Sequence, residues 1–392
     1  MTTQTSFFNH LKILSIILYD LTGKFQLDLT SAFSSLKIEE NMFSQYLTAT
    51  LLIQDTQSLD STFPILGGEV ISFKLQDRED SVINNESILD LSLMVESVVF
   101  NPNDEISSQS LPKTLTINLR SPYYFISKLR RISRRFIGNT ESIISFLFQY
   151  VMKMKPIVRV EDDMNLDFIS NFWDVNSIMK YITFKGIDTF FFETLREHVF
   201  AKLSTMAKQE TEEFWKMSMF SINDSVNFQA VMAAKFKTKF SIADMFRYDG
   251  FGNTVYNPNL TGYNYEILTN DLTKEISYTK DLCNTNYYWN FFVDYGEDSC
   301  VLNSFNADIV NRRNIIIQNL SNYNVTCNLK GSFTRNVGDI IEFNLPFIQT
   351  DPAQTSNTLF KGKWLITSIT HTMDNSMRYD QDITICKTGF QV

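Results

Sequence analysis

The sequence predicts a mainly β, α+β protein carrying two similar small antiparallel β-barrels, one near each end, with α/β insertion domains. Three observations predict it. Gly68-Glu69-Val70-Ile71-Ser72-Phe73-Lys74-Leu75 recurs as Gly338-Asp339-Ile340-Ile341-Glu342-Phe343-Asn344-Leu345. Each copy is followed by two more alternating runs in the same order, and a stretch of helical periodicity separates the two regions.

The first barrel is expected over residues 1–121. Its most apolar N-terminal run, Leu11 to Leu18, is interrupted by Lys12 and Ser15 and lacks a basic leader and a small-residue cleavage site, so it reads as a strand. Ala49, Leu51 and Ile53 then share one face of an alternating strand. In the repeat itself a turn glycine, Gly68, precedes a period-two strand that projects Ile71, Phe73 and Leu75 to one side. Gly338, Ile341, Phe343 and Leu345 do the same in the second copy. Met94-Val95-Glu96-Ser97-Val98 has its counterpart in Leu365-Ile366-Thr367-Ser368-Ile369, and Leu115 to Leu119 matches Ile383 to Cys386. Turn-rich stretches at 101–110 and 374–381 precede the third strands. Val325, Cys327 and Leu329 supply the strand upstream of the second copy. Strands apolar on one face bury that face by closing on themselves, hence barrels rather than flat sheets.

Residues 122–210 read as a helical region with a β-hairpin. Thr140 can cap a helix carrying Ile143, Ile144, Leu147 and Phe148, a second helix runs from Val175 to Phe184, and Thr189 to Glu193 pairs with His198 to Leu203. The second barrel takes residues 211–250 plus 306–392, with alternation from Val226 to Met245 and a short helix from Asn311 to Ser321 leading into the Val325 strand. Residues 251–305, rich in Asn, Tyr, Asp and Gly, read as a loop-rich insertion.

With 392 residues the chain has material for about two to four domains. A net charge of −9 excludes broad nucleic-acid affinity, which needs a surplus of Lys and Arg. The four cysteines, Cys283, Cys300, Cys327 and Cys386, show no C-x-x-C spacing and read as reduced, buried thiols. His10, His198 and His371 fall in three separate regions, His371 at the position that Phe100 occupies in the first copy, so neither a metal site nor a catalytic triad assembles from them. No zinc-protease, nucleophile-elbow or phosphate-loop motif is present, and no catalytic, metal-binding or cofactor-binding residue is expected. Glu161, Asp162 and Asp163 read as a solvated loop, and the aromatic run Tyr287, Tyr288, Trp289, Phe291 and Phe292 as core or interface. Lys128, Arg130, Arg131, Arg134 and Arg135 form the densest basic run. Phe125, Ile126, Leu129, Ile132 and Phe136 have helical spacing, so the arginines are expected to cover the outer face of a helix, open to an acidic partner.

The layout resembles the central baseplate hub protein of contractile-tailed bacteriophages, a family related to the base of the type VI secretion spike. The resemblance spans essentially the whole chain and rests on Gly338 to Leu345, on Gly362 to His371 and on Tyr379 to Lys387, a glycine-led strand, a strand ending in His and a final Thr-rich strand. It implies a homotrimer whose tail-tube-like barrels form a ring of near six-fold symmetry, meeting the hexameric tail tube protein on one side and the trimeric central spike protein on the other. It further implies a place in the virion's tail baseplate, assembly in the host cytoplasm, contacts with baseplate wedge proteins, DNA passing through the lumen without specific binding, no stable membrane association, and no cofactor or active site. The competing reading is a tail-associated glycan-degrading hydrolase using the carboxylates and the Tyr287 to Phe292 aromatics.

Overall fold

The computed structural model describes residues 11–55, 63, 65–77, 88–100, 113–154, 158–161, 164–211, 213–217, 229–231, 233–238, 252–259, 264–271, 309, 312–313, 316–317, 320, 323–344 and 362–387. The first seven strands are β1 (Leu11–Tyr19), β2 (Gln26–Asp28), β3 (Phe33–Asn41), β4 (Thr48–Asp55), β5 (Val70–Asp77), β6 (Ile88–Phe100) and β7 (Lys113–Arg120). They pair antiparallel in the order β3-β4-β7-β6-β5-β1-β2. Period-two alternation decides which face is buried: Ala49, Leu51, Ile53, Ile71, Phe73, Leu75, Leu115, Ile117 and Leu119 enter one core. Thr48, Thr50, Thr114, Thr116 and Asn118, on the opposite face, stay half-buried.

The chain then leaves the sheet through α1 (Pro122–Leu129), started by Ser121, whose hydroxyl accepts from the Tyr123 amide at 3.3 Å. β8 (Arg131–Asn139) and β10 (Asn165–Asp174) form a two-stranded ribbon around α2 (Thr140–Phe146), a π-helical turn (Leu147–Met152) and β9 (Val158–Val160). The helix cap is Asn139, one residue before the expected Thr140; its side chain accepts from the Ser142 amide at 3.1 Å. Asp174 caps α3 (Val175–Lys185), and β11 (Thr189–Glu193) returns as β12 (His198–Lys202), with Leu203 opening α4 (Leu203–Met206). Ile143, Ile144, Leu147, Phe148, Ile178, Ile182, Phe191 and Phe200 fill a core of their own here.

The last strands are β13 (Glu213–Met217), β14 (Gln229–Val231), β15 (Ala233–Thr238), β16 (Gly252–Asn259), β17 (Asn264–Asp271), β18 (Tyr323–Lys330), β19 (Ile340–Asn344), β20 (Gly362–Asp374) and β21 (Tyr379–Lys387). β16 and β17 form a hairpin where a loop-rich stretch was expected. Ile309, Arg312, Arg313, Ile316, Ile317 and Leu320 are helical, and the Arg313 guanidinium donates to the carbonyls of Ile187 and Thr189, both at 2.8 Å, tying this segment to the turn before β11. Leu345 and the 287–292 aromatics lie outside the described residues.

β4-β7-β6-β5 and β18-β21-β20-β19 are paired in the same order. The correspondence reaches single atoms. The β6–β7 register shifts between Val95 and Ser97, and the β20–β21 register between Ile366 and Ser368, a β-bulge at the same place. Gly68 and Gly338 both take positive φ, +95° and +97°. Their amides donate to the Val95 and Ile366 carbonyls at 2.8 and 2.9 Å, and the Val95 and Ile366 amides donate back to Glu69 and Asp339 at 2.8 and 3.0 Å. The third strands align two residues away from the sequence match: Ile117 stands beside Val98 as Ile383 stands beside Ile369. Alternation has period two, so a slip of two residues preserves the pattern and is invisible to it.

Among the described residues the strands of neither copy close into the expected barrel. Closure would need β3 to return to the β1–β2 end of its own meander. Its outer edge is instead taken by β20, with Ser35 to Asn41 antiparallel to Asp374 to Ser368, so that both meanders belong to one fourteen-stranded sheet. The edge groups of β3 are satisfied by the other copy rather than by its own first strand.

Candidate functional site

The β3–β20 junction is where the duplicated parts meet, and it carries a buried polar network. On β3 the inward series Leu36, Ile38 continues to Glu40; on β20 Ile369, His371 and Met373 face inward. Strand alternation therefore forces a carboxyl and an imidazole into the core, where polar groups need partners. His371 Nε2 lies 3.1 Å from Glu40 Oε1, and Nδ1 lies 2.8 Å from the Tyr379 hydroxyl. The Leu195 amide donates to Glu40 Oε1 at 3.2 Å. The Gln381 amide nitrogen donates to the Ser332 carbonyl at 2.6 Å and to the Tyr379 hydroxyl at 3.1 Å. The Arg335 guanidinium donates to Gln381 Oε1 at 2.8 Å and to Glu213 Oε2 at 2.8 Å. One chain of contacts thus runs from the first copy to β13 through the second. His371, Tyr379 and Gln381 are fully buried, and their mutual bonds fix the junction.

A second node ties the first copy to the middle region. The Ser121 hydroxyl donates to Glu193 Oε1 at 2.8 Å, the Leu47 amide donates to Oε2 at 3.1 Å, and His198, opposite Glu193 in the β11–β12 register, lies 3.7 Å away. Burial pushes Glu193 up to about 7, and burial among the rings of Tyr123, Phe148 and Phe191 pushes His198 down to about 3. Near pH 6 both are therefore neutral, and their proximity is not an ion pair. Ser, His and a carboxyl meet here, but the serine bonds the carboxyl rather than the imidazole, and all three are buried; no nucleophile is presented.

The basic run does not form one helix. Arg130 leaves α1 in extended geometry, and Arg131, Arg134 and Arg135 lie on β8. The helical spacing came from joining Phe125, Ile126 and Leu129 of the helix to Ile132 and Phe136 of the strand. Arg135 is paired with Asp167 through two bonds of 2.9 and 2.6 Å, and the Arg134 guanidinium lies over the rings of Phe136 and Phe146 at 5.2 and 4.3 Å. Arg130 and Arg131 are exposed.

Ile71, Phe73, Ile341 and Phe343 are buried in the two sheet cores. Cys327 and Cys386 are buried free thiols, Cys327 pushed by burial up to about 12; Cys283 and Cys300 lie outside the described residues, as do His10, Asp162 and Asp163. Glu161 pairs with Arg159 at 3.2 Å rather than with another carboxylate. Among the described residues no group of three or more His, Cys, Asp or Glu is placed to hold a metal ion, and no helix is long and apolar enough to cross a membrane. Sequence reasoning missed Glu40, Glu193 and Gln381; the signal for Glu40 was a carboxylate continuing an apolar period-two series.

No family model and no curated protein sequence matches the chain. Solved structures do. A tail protein from Neisseria meningitidis MC58 superposes with a TM-score of 0.58 at 10% identity, over 95% of this chain and 96% of that one. The 43 kDa tail protein of prophage MuSo2 from Shewanella oneidensis gives 0.56 at 11% identity, over 95% and 98%. A chain of the lidded PdpA–VgrG complex of Francisella gives 0.52 at 9% identity, over 99% of this chain and 55% of that one. From end to end, then, the chain has the fold of these bacterial and prophage tail proteins, a fold shared with the VgrG-containing complex.

Proposed function

We propose that the chain is a structural hub of a phage tail baseplate, a homotrimer whose duplicated meanders make a ring of near six-fold symmetry between the tail tube protein and the central spike protein. The observation that carries this reading is the repeat itself: two copies with the same strand order, bulge and glycine turn, joined edge to edge in one sheet. A chain that offers the same surface twice lets three chains meet a six-fold partner on one side and a three-fold partner on the other. The fold shared with tail proteins supports the same reading.

In this arrangement the polar sheet face, with Thr50, Thr116 and Asn118 in the first copy and Thr326, Asn328 and Thr384 in the second, lines a channel for DNA. Its hydroxyl and amide groups offer phosphates no counterion, and Arg120 on the same face is paired with Glu96, which suits passage rather than retention. Arg130 and Arg131 face outward toward an acidic neighbour such as a wedge protein. Light scattering and negative-stain imaging of the full chain, alone and mixed with its spike protein, test the proposal: a three-chain ring is expected. A monomer in both preparations that cleaves cell-wall or capsule glycans would replace the hub with the hydrolase reading.

A further inference from the structure

The β8–β10 ribbon has two faces, and the chain covers one of them. On the inner face Phe136, Phe168 and Trp173 join the core of the middle region, and α3 lies over them, with the Tyr181 ring 4.8 Å from that of Phe168 and 5.2 Å from that of Trp173. On the outer face Arg135 and Ile137 of β8 stand opposite Ile169 and Asp167 of β10. Ile137 and Ile169 are 68% and 66% exposed. A bulge adds a third apolar group. The register shifts between Ser170 and Trp173, and Phe172 takes a φ of +52°, a left-handed conformation that side chains disfavour. Phe172 is 66% exposed, so the strain secures no packing inside the chain. What it secures is the position of a ring. The bulge is fastened from within: the buried Ser170 hydroxyl donates to the Ile132 carbonyl at 3.0 Å and accepts from the Arg134 amide at 3.2 Å. Two residues on, Asp174 caps α3 by accepting from the Ser177 amide at 2.6 Å.

Charge gives the face a direction. Arg135 and Asp167 neutralise each other, and Lys128 lies 3.6 Å from Asp174. Arg130 and Arg131, at the end where the ribbon leaves α1, are exposed and have no acidic partner among the described residues. We infer that this outer face binds an amphipathic helix of another protein, whose aliphatic stripe covers Ile137, Ile169 and Phe172 and whose Asp or Glu residues meet Arg130 and Arg131. Dimension and charge select that occupant. Two paired strands present a face about 10 Å wide, the diameter of one helix with its side chains. The inner face already takes a helix in this way. A second copy docking the same face on itself would assemble through a two-fold axis, which a three-chain ring does not use. The inference rests on the hub reading for placing the partner among the tail proteins, and adds the surface and the chemistry that recognises it.

The test uses the full chain and two synthetic helical peptides of about 14 residues, long enough to run from Arg131 to Ile137. Both carry a leucine stripe, flanked by Glu in one and by Lys in the other. In fluorescence anisotropy the Glu peptide is expected to bind about tenfold more tightly than the Lys peptide, and Arg130→Glu with Arg131→Glu should reverse the order. Phe172→Gly separates docking from folding. Glycine suits the left-handed backbone, so this variant should melt no lower than the unmodified chain yet lose about tenfold in affinity for the Glu peptide. In purified tails, a photo-crosslinking residue in place of Ile169 should label an acidic helical segment of a different protein. Equal binding of the two peptides, a Phe172→Gly variant that melts lower or binds as before, or labelling confined to copies of this chain or absent would overturn the inference. Any of these results beside a three-chain ring leaves the hub reading standing. A chain that stays monomeric even with its spike but shows the charge reversal keeps the docking face and removes the hub.

Discussion

Glu193 and His198 sit side by side, yet they answer pH in opposite directions. Glu193 is raised by burial from its ordinary 4.5 to about 7, so the folded state holds a proton that the unfolded chain has lost; its contribution is complete below about 4.5 and disappears as pH rises through 7. The shift corresponds to roughly 3 kcal/mol at most. His198, depressed to about 3, contributes above its ordinary 6.5, and that contribution is lost as pH falls toward 3. Glu193→Gln keeps an acceptor for the Leu47 amide and removes the acid. Its melting temperature relative to the unmodified chain should climb between pH 5 and pH 8; a constant difference would show that the carboxyl is not held protonated. The Glu40–His371 pair makes a separate prediction. His371→Phe, the residue type at position 100 of the first copy, leaves the Glu40 carboxyl with the Leu195 amide alone and should cost about 1–3 kcal/mol in urea unfolding. Adding Glu40→Leu removes the orphaned group and should recover most of that loss, so the double-mutant cycle reads the coupling directly.

At the scale of the element, the bulged strand with its glycine turn is the unit that was duplicated, and the two turns should respond to the same change differently. Gly68 and Gly338 hold equivalent left-handed conformations, so an alanine at either position is strained, by about 1–3 kcal/mol. The surroundings then separate them. A Cβ on Gly68 would meet the side chain of Leu21, which is exposed and free to yield; one on Gly338 would meet Met206 and Phe192, both buried. Gly338→Ala should therefore be the costlier substitution by thermal melting, and equal losses would mean that backbone strain alone decides. These strands were legible because a glycine, an acidic residue and three alternating apolar residues leave little choice of conformation. The basic run was not: a helix ends and a strand begins inside it, and the exposed Arg134 lies over two aromatic rings, so the charge pattern imitated one helix. The β16–β17 hairpin hid behind Asn and Tyr, which composition assigns to loops. The buried carboxylates were hidden for another reason, since Leu47 reaches Glu193, and His371 reaches Glu40, from segments more than a hundred residues away in sequence, and no local pattern announces them.

At the scale of the whole molecule, the shared sheet changes what the repeat means for stability. Two closed barrels would each own a core and melt separately. Here Phe333, Met373 and Tyr379, all from the second half of the chain, belong to the core formed by β1 to β7, and Gly331 lies so close under the Tyr379 ring that a Cβ could not be accommodated. Withdrawing β20 and β21 would uncover both the apolar floor of the first copy and the edge of β3. The two copies should therefore unfold together, in one calorimetric transition whose measured enthalpy equals the van't Hoff enthalpy, and amides of β3 and β20 should exchange with the same free energy. Residues 1–121 expressed alone should fail to give a soluble monomer, because the excised piece carries an unpaired β3 edge beside an incompletely covered core. Two resolved transitions, or a stable 1–121 fragment, would mean that the β3–β20 junction joins finished domains. In that case the junction would be a docking contact, and the buried Glu40–His371 pair would serve to orient two independent bodies rather than to complete one.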